Sequence, residues 1–358
     1  MTMLTVTATD LADIIRLVAF DERDPLIIWG MPGIGKSEIA AQISAEYDAT
    51  AENGRFIDVR LSQWESVDLR GIPDIDHANH TTNWNMPNVL PFVGNPKFAK
   101  MTKGFIVLFL DELTSASPSV MAAIYQLIND RKIGEHRLMD NVILIAASNR
   151  DGDKGVTNRM PTPVANRLVH VELGLDVGSW CHYASSKGYD LGVAFIQFRK
   201  PLLSTFIQLK KDKEVVTTDK AFASPRSWFK AFRFARNEKS PERARNAAIC
   251  GAVGVGPGNE FVAFLRIWQS MISIKKIIAD PKGTELPTEA SMRYAVAVNI
   301  SGNMDSKNLK PLSVYLNRMD PEFTILAWKL AVKRDKKLFA APEFIDYAEA
   351  NKEVWAPL

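Results

Sequence analysis

Pro25-Leu26-Ile27-Ile28-Trp29-Gly30-Met31-Pro32-Gly33-Ile34-Gly35-Lys36-Ser37 decides the fold. Leu26 to Trp29 is a short apolar run rich in branched residues, the pattern of a buried strand. It breaks on glycines and passes into Glu38-Ile39-Ala40-Ala41-Gln42-Ile43-Ser44-Ala45-Glu46-Tyr47, whose apolar residues recur at helical spacing. The junction reads G-x-x-x-x-G-K-[ST], with the strand and the helix that this phosphate-binding motif requires on its two sides. The chain from Gly30 through Pro32, Gly33, Ile34 and Gly35 can bend so that successive N–H groups face inward at a helix N-terminus, which makes an anion cradle. Lys36 then reaches the β- and γ-phosphates of a nucleoside triphosphate, and the Ser37 hydroxyl is placed to ligate Mg²⁺.

The remaining composition bounds the answer. The 358 residues can carry two domains with cores of their own, and 46% hydrophobic with 24% charged residues is an ordinary globular balance. A net charge of +3 does not by itself argue for nucleic acid. Cys181 and Cys250 are far apart in a chain that needs no staple, so both read as reduced thiols. The N-terminus shows no basic stretch followed by an apolar one, and the longest apolar run, Phe105 to Leu110, is far too short for a bilayer. The expectation is a cytoplasmic protein without membrane contact.

Along the chain, Thr9-Asp10 can cap a helix from Leu11 to Phe20. Phe56 to Leu61 alternates as a strand. Ser62 to Lys100 is irregular, with Pro73, Pro87, Pro91 and Pro96, and reads as an insertion with one or two hairpins. His77 and His80 within it lack further ligands and read as solvated. Phe105 to Leu110 is a fully apolar strand that ends on Asp111 and Glu112. After a P-loop, an aspartate there holds Mg²⁺, and the adjacent glutamate can polarise a water for attack on the γ-phosphate. Ser117-Pro118 caps a helix to about Asn129. Arg131 to Leu138 suggests a hairpin about Gly134. Val142 to Ser148 is another buried strand, ending at Asn149, and Leu168 to Leu173 is a last one. Ligands of open α/β sheets bind at such carboxyl ends. From Gly174 onward strand signals fade into helical spacing, in segments including Trp228–Asn237, Glu242–Val253, Phe261–Ile278 and Thr324–Arg334. Gly251 to Gly258 reads as a hinge or loop, and Lys210 to Lys213 as a solvated helix face.

A P-loop, a strand ending Asp-Glu and a third strand ending Asn resemble an AAA+ ATPase, and further phrases resemble its MoxR branch, related to the midasin and magnesium-chelatase ATPases. These are Val67-Asp68-Leu69-Arg70-Gly71-Ile72-Pro73, Asp130 to Gly134, Asn158-Arg159-Met160-Pro161-Thr162-Pro163-Val164-Ala165-Asn166-Arg167, and Ala223-Ser224-Pro225-Arg226-Ser227-Trp228. The resemblance implies an α/β fold, a P-loop NTPase αβα sandwich of AAA+ type over residues 1–174. A helical lid and C-terminal helices would follow over 175–358. The helix-2 insert would lie at about 62–100 and the pre-sensor-1 hairpin at about 130–141, both facing the pore of a ring. It implies that Asn149 is sensor 1, Arg226 sensor 2, and Arg167 the finger that reaches a neighbouring subunit, with Arg159 as runner-up. Leu168 stands where phenylalanine is commoner in that family.

The resulting expectation is a homo-oligomeric ring, a hexamer by analogy, that hydrolyses ATP with Mg²⁺ held by Ser37 and Asp111. It would remodel a protein client, through a partner with a von Willebrand factor A or metallopeptidase-like domain. A nucleic-acid motor on the same core is the alternative. It would use Trp64, Trp84 and Phe92 of the insert as stacking platforms. The mixed charge of that insert, with Asp68, Asp74 and Asp76 against Arg70 and Lys97, counts against it. A nucleotide-gated scaffold without turnover is disfavoured by the intact Asp111-Glu112 pair. A simple P-loop kinase is disfavoured by the Asn149 strand end and the long helical region.

Overall fold

The computed structural model describes residues 3–48, 55–150, 153, 158, 160–210, 213–269 and 272–351. The chain divides into two compact units: Met1–Trp180 with Phe206–Thr218 and Ser224–Arg226, and Cys181–Thr205 with Asp219–Ala223 and Ser227–Leu358.

Among the described residues the first unit has twelve strands, in chain order: β1 Thr5–Val6, β2 Leu26–Trp29, β3 Arg55–Arg60, β4 Ile72–Asp76, β5 Thr81–Asn85, β6 Ile106–Asp111, β7 Lys132–Ile133, β8 His136–Arg137, β9 Val142–Ser148, β10 Val169–Leu173, β11 Ile207–Lys210 and β12 Lys213–Val216. Six of them form one sheet in the order β1-β10-β2-β9-β6-β3, and every pairing in it is parallel. β4–β5, β7–β8 and β11–β12 are separate antiparallel hairpins. The helices of this unit include α1 Ala8–Ile14, α2 Lys36–Asp48, α3 Ser66–Arg70, α4 Pro118–Asp130 and α5 Thr162–Ala165.

Side-chain alternation sends each strand to two cores. Ile27, Trp29, Leu108, Leu110, Leu144 and Ala146 join Val120, Ile124 and Leu127 of α4 on one face. Leu26, Ile28, Val107, Phe109, Ile143 and Ile145 join Leu11 of α1 and Ala40 and Ile43 of α2 on the other. Covering on both faces is why β6 and β9 read as unbroken apolar runs. Each fully buried large side chain contributes roughly 1.5–3 kcal/mol of transfer free energy. The layers are those of a P-loop αβα sandwich.

Local signals hold with some shifts. Ser117 caps α4, its hydroxyl accepting the Val120 N–H, with Pro118 in the first turn. The first helix is capped one turn earlier than expected, by a reciprocal Thr7–Asp10 box. It then widens into a π-helix, Ile15–Asp21, so the expected regular helix to Phe20 is corrected. The insert contains α3 and the β4–β5 hairpin.

The second unit is helical in its longer elements, which include Asp190–Phe198, Glu242–Val253, Val255–Gln269, Ala290–Asn303 and Pro321–Arg334. Phe195, Trp228, Phe232 and Phe261 pack ring against ring with centroids 5.0 to 5.6 Å apart. Two expectations fail here. Gly251 to Gly258 is not a loop but the meeting of two helices, turned at Gly254 with φ +93°. A Cβ at Gly258 would lie 2.6 Å from the Cys250 Cα, so this glycine serves close packing. Phe261–Ile278 is not one helix, since a helix ends at Gln269 and another spans Ile274–Ala279. In the first unit, the predicted helix face at Lys210 to Lys213 is instead the hairpin β11–β12; residues 211 and 212 lie outside the described residues. Cys181 and Cys250 are not joined in a disulfide. Among the described residues no helix is long and apolar enough to cross a membrane.

Candidate nucleotide site

The carboxyl ends of β2, β6 and β9 gather the predicted residues. β2 lies between β10 and β9, so the chain leaving it emerges where flanking connections diverge, the place where open α/β sheets bind ligands. Gly33 has φ +76° and Gly35 φ +115°, backbone conformations that a side chain opposes. The loop runs directly into α2 at Lys36.

Lys36 is 9% exposed, and its ammonium donates to Gly30 O at 2.6 Å and to Asn149 Oδ1 at 3.1 Å. The ends of β2 and β9 therefore meet at one cation. Burial pushes Lys36 down to about 8; the Asp111 and Asp153 charges oppose that shift, and those of Arg226 and Arg150 add to it. Asp111 ends β6 half-buried. Burial raises its pKa, against the Glu112 N–H donated to its Oδ1 at 2.9 Å. Ser37 follows Lys36 in the first turn of α2.

Glu112 adopts φ 57° and ψ 37°, the left-handed region, which is costly for this residue type and recurs at functional sites. Its carboxylate accepts a hydrogen bond from Ser62, just beyond β3. The segment after β6 is tied to β9, since the Thr114 hydroxyl and N–H both engage Ser148 Oγ.

Arg226 N–H donates to Gly33 O at 3.2 Å, within the same compact unit, and a Cβ on Gly33 would meet Ser224 Oγ at 3.1 Å. The Arg226 side chain is exposed, and its charge is felt at Lys36. Arg167 is different: it follows α5, is exposed, and no hydrogen bond or ion pair among the described residues engages its side chain. Arg159 lies outside the described residues.

Sequence reasoning missed two arrangements. Ser62 gave no local signal as the partner of Glu112. Arg150 donates to buried Asp153 at 3.3 Å and to Glu172 of β10 at 3.2 Å. Burial works against its charge, but the two carboxylates outweigh it and raise its pKa.

Residues 25–168 match the family model described as AAA domain (dynein-related subfamily). That segment is an AAA domain. No curated protein matches the chain. Among solved structures, the chain is similar to a RuvB point mutant from Thermotoga maritima, at 12% identity and TM-score 0.33, over 84% of this chain and 72% of that one. It is also similar to NtrX from Brucella abortus in complex with ADP, at 13% identity and TM-score 0.35, over 98% and 68%. The AAA domain and its P-loop imply nucleotide binding.

The oxygen donors suit magnesium. A hydroxyl at Ser37 and a single carboxylate at Asp111 make the sparse, hard-oxygen set that Mg²⁺ takes beside phosphates and water. Among the described residues no cluster of three or more His, Cys, Asp or Glu offers a fuller cage.

Proposed function

We propose that this chain is a cytoplasmic ATP hydrolase of MoxR type, working as a homo-oligomeric ring, a hexamer by analogy, on a protein client. The observation that carries the reading is the contrast in one AAA domain between a P-loop lysine held by Asn149 and an arginine, Arg167, exposed without a partner among the described residues. Lys36 and the loop N–H groups bind the phosphates, and Ser37 and Asp111 hold Mg²⁺. When bound, that ion supplies charge to the γ-phosphate oxygens. Glu112 takes the proton of the attacking water as Asn149 orients it. Arg226 senses the γ-phosphate from its place over Gly33. Arg167 of one subunit completes its neighbour's site, where a planar guanidinium meets spreading negative charge. Arg159 is the second candidate for that role. The von Willebrand factor A or metallopeptidase-like partner rests on family analogy alone.

The insert favours a protein client over a nucleic acid. Of its proposed stacking aromatics, Phe92 is fully buried, Trp64 packs on the sheet core, and Trp84 lies under Arg70 at 5.1 Å. Its exposed large hydrophobic side chains are instead aliphatic: Val67, Ile72, Ile75, Val89 and Val93. The Trp84 N–H donates to Glu135 between β7 and β8, tying the insert hairpin to the second hairpin.

The test is Mg·ATP turnover by Glu112→Gln and Arg167→Ala, alone and mixed. Each alone is expected to be nearly inactive, and the mixture to recover turnover through sites pairing an intact Glu112 with a neighbour's intact Arg167. No recovery, with subunit exchange verified, sinks the shared site and leaves Arg167 acting in cis or in a structural role.

A further inference from the structure

His170 lies on β10, in register with Ile27 of β2, and its two ring nitrogens face different elements. Nδ1 is 3.1 Å from the indole Nε1 of Trp29, the last residue before Gly30. Nε2 is 2.8 Å from the carbonyl oxygen of Ala165, the last residue of α5. The rings stack at 14° with centroids 6.0 Å apart. An indole nitrogen only donates, so Nδ1 must be the acceptor, and the single ring proton sits on Nε2 and is donated to Ala165. The partners therefore fix both tautomer and ring orientation.

The bond to Ala165 closes a loop of chain, and Arg167 is inside it. The backbone ties the ends of that turn, Asn166 N–H to Thr162 O at 3.1 Å and Val169 N–H to Pro25 O at 2.9 Å, while Arg167 N–H reaches Val164 O at 3.0 Å and Leu168 N–H shares the same Ala165 oxygen at a long 3.3 Å. Val169 beside it is exposed. On its other side the imidazole is braced by Trp29, which is 7% exposed and joined directly to the loop that holds Lys36.

We propose that His170 is a positioning residue for Arg167. It braces the α5–β10 turn against the strand that enters the subunit's own P-loop. The inference rests on the reading of Arg167 as the arm that serves a neighbouring subunit. In this role His170 acts through Arg167, by setting where the guanidinium is presented.

Mixing experiments separate this role from a merely structural one. His170→Phe keeps a stacked ring and removes both hydrogen bonds. Its turnover is expected to fall about tenfold, the upper scale of one lost hydrogen bond, with the KM for ATP little changed. Mixed with Glu112→Gln it should recover, because the Glu112→Gln subunit presents a well-placed Arg167. Mixed with Arg167→Ala it should not, because neither subunit then presents a working arm. His170→Gln, whose amide can reach Ala165 O, should regain part of the loss, and it takes the same mixing test if the Phe variant fails to fold. Nitrogen NMR of the wild-type chain should show His170 with Nδ1 unprotonated and a slowly exchanging proton on Nε2. Recovery of His170→Phe with Arg167→Ala, wild-type turnover in His170→Phe, or a proton on Nδ1 overturns the proposal. Failure of the Glu112→Gln and Arg167→Ala pair to complement each other is a separate result. It removes the Arg167 reading and this inference with it.

Discussion

Lys36 and Arg167 belong to the same AAA domain and live in opposite surroundings. One is buried, gripped by a loop carbonyl and Asn149, and pushed down in pKa; the other is exposed and engaged by nothing among the described residues. A cation is buried only at a cost, and that cost is tolerated where phosphate will later compensate it. A cation left in solvent costs nothing and is free to meet charge from outside its own chain. The contrast suggests a catalytic site assembled in two halves, one built by folding and one by association.

The sharpest way to break that comparison is Arg167→Ala. Turnover should fall by about 10³-fold or more while ADP affinity, read by calorimetry, stays within about twofold. A matching loss of affinity would make Arg167 part of the buried half. Next in size is Lys36→Met, which should cost on the order of 10²–10³ in turnover. It should weaken ADP binding and also raise the thermal midpoint of the nucleotide-free protein, because a buried cation is gone. A lowered midpoint would mean that the bonds to Gly30 and Asn149 outweigh desolvation.

The pKa of Lys36 gives a third test. Its value is about 8 in the fold against 10.5 ordinarily, and bound phosphate should raise it. ADP binding near pH 8 should then take up a proton, seen as buffer-dependent heat, and affinity should decline as pH rises past about 8. The nucleotide-free fold responds in the opposite sense. The unfolded chain binds more protons between pH 8 and 10.5, so this group adds stability across that window, by an amount of order 3 kcal/mol. Uptake of no proton would contradict the burial argument. The smallest effect is expected from Ser62→Ala. Freed from the hydroxyl, Glu112 should turn over ATP about threefold faster, within the range of one hydrogen bond. A slower enzyme would show that Ser62 orients the carboxylate rather than restraining it.

The sheet and the P-loop were legible because their signals are local. Ile106 to Leu110 and Val142 to Ala147 are apolar throughout because both faces are covered, and Ser117-Pro118 carries its cap in two residues. What was hidden depends on partners far along the chain. Ser62 is fifty residues from Glu112, and Trp29 is 141 from His170. No periodicity announces either contact. The glycines from 251 to 258 misled for another reason. Composition cannot distinguish a glycine that bends the chain, as Gly254 does, from one that lets two helices touch, as Gly258 does against Cys250. The β11–β12 hairpin was masked by lysines, which fit a solvated helix face as well as a strand end.

The left-handed backbone at Glu112 sets stability against activity at a single codon. Glycine would sit there without strain, while a glutamate costs about 1–2 kcal/mol. Glu112→Gly should thus give a chain that melts higher and does no chemistry. Any selection for thermal robustness alone would erode the carboxylate first, so variants bred for stability need turnover as a second screen.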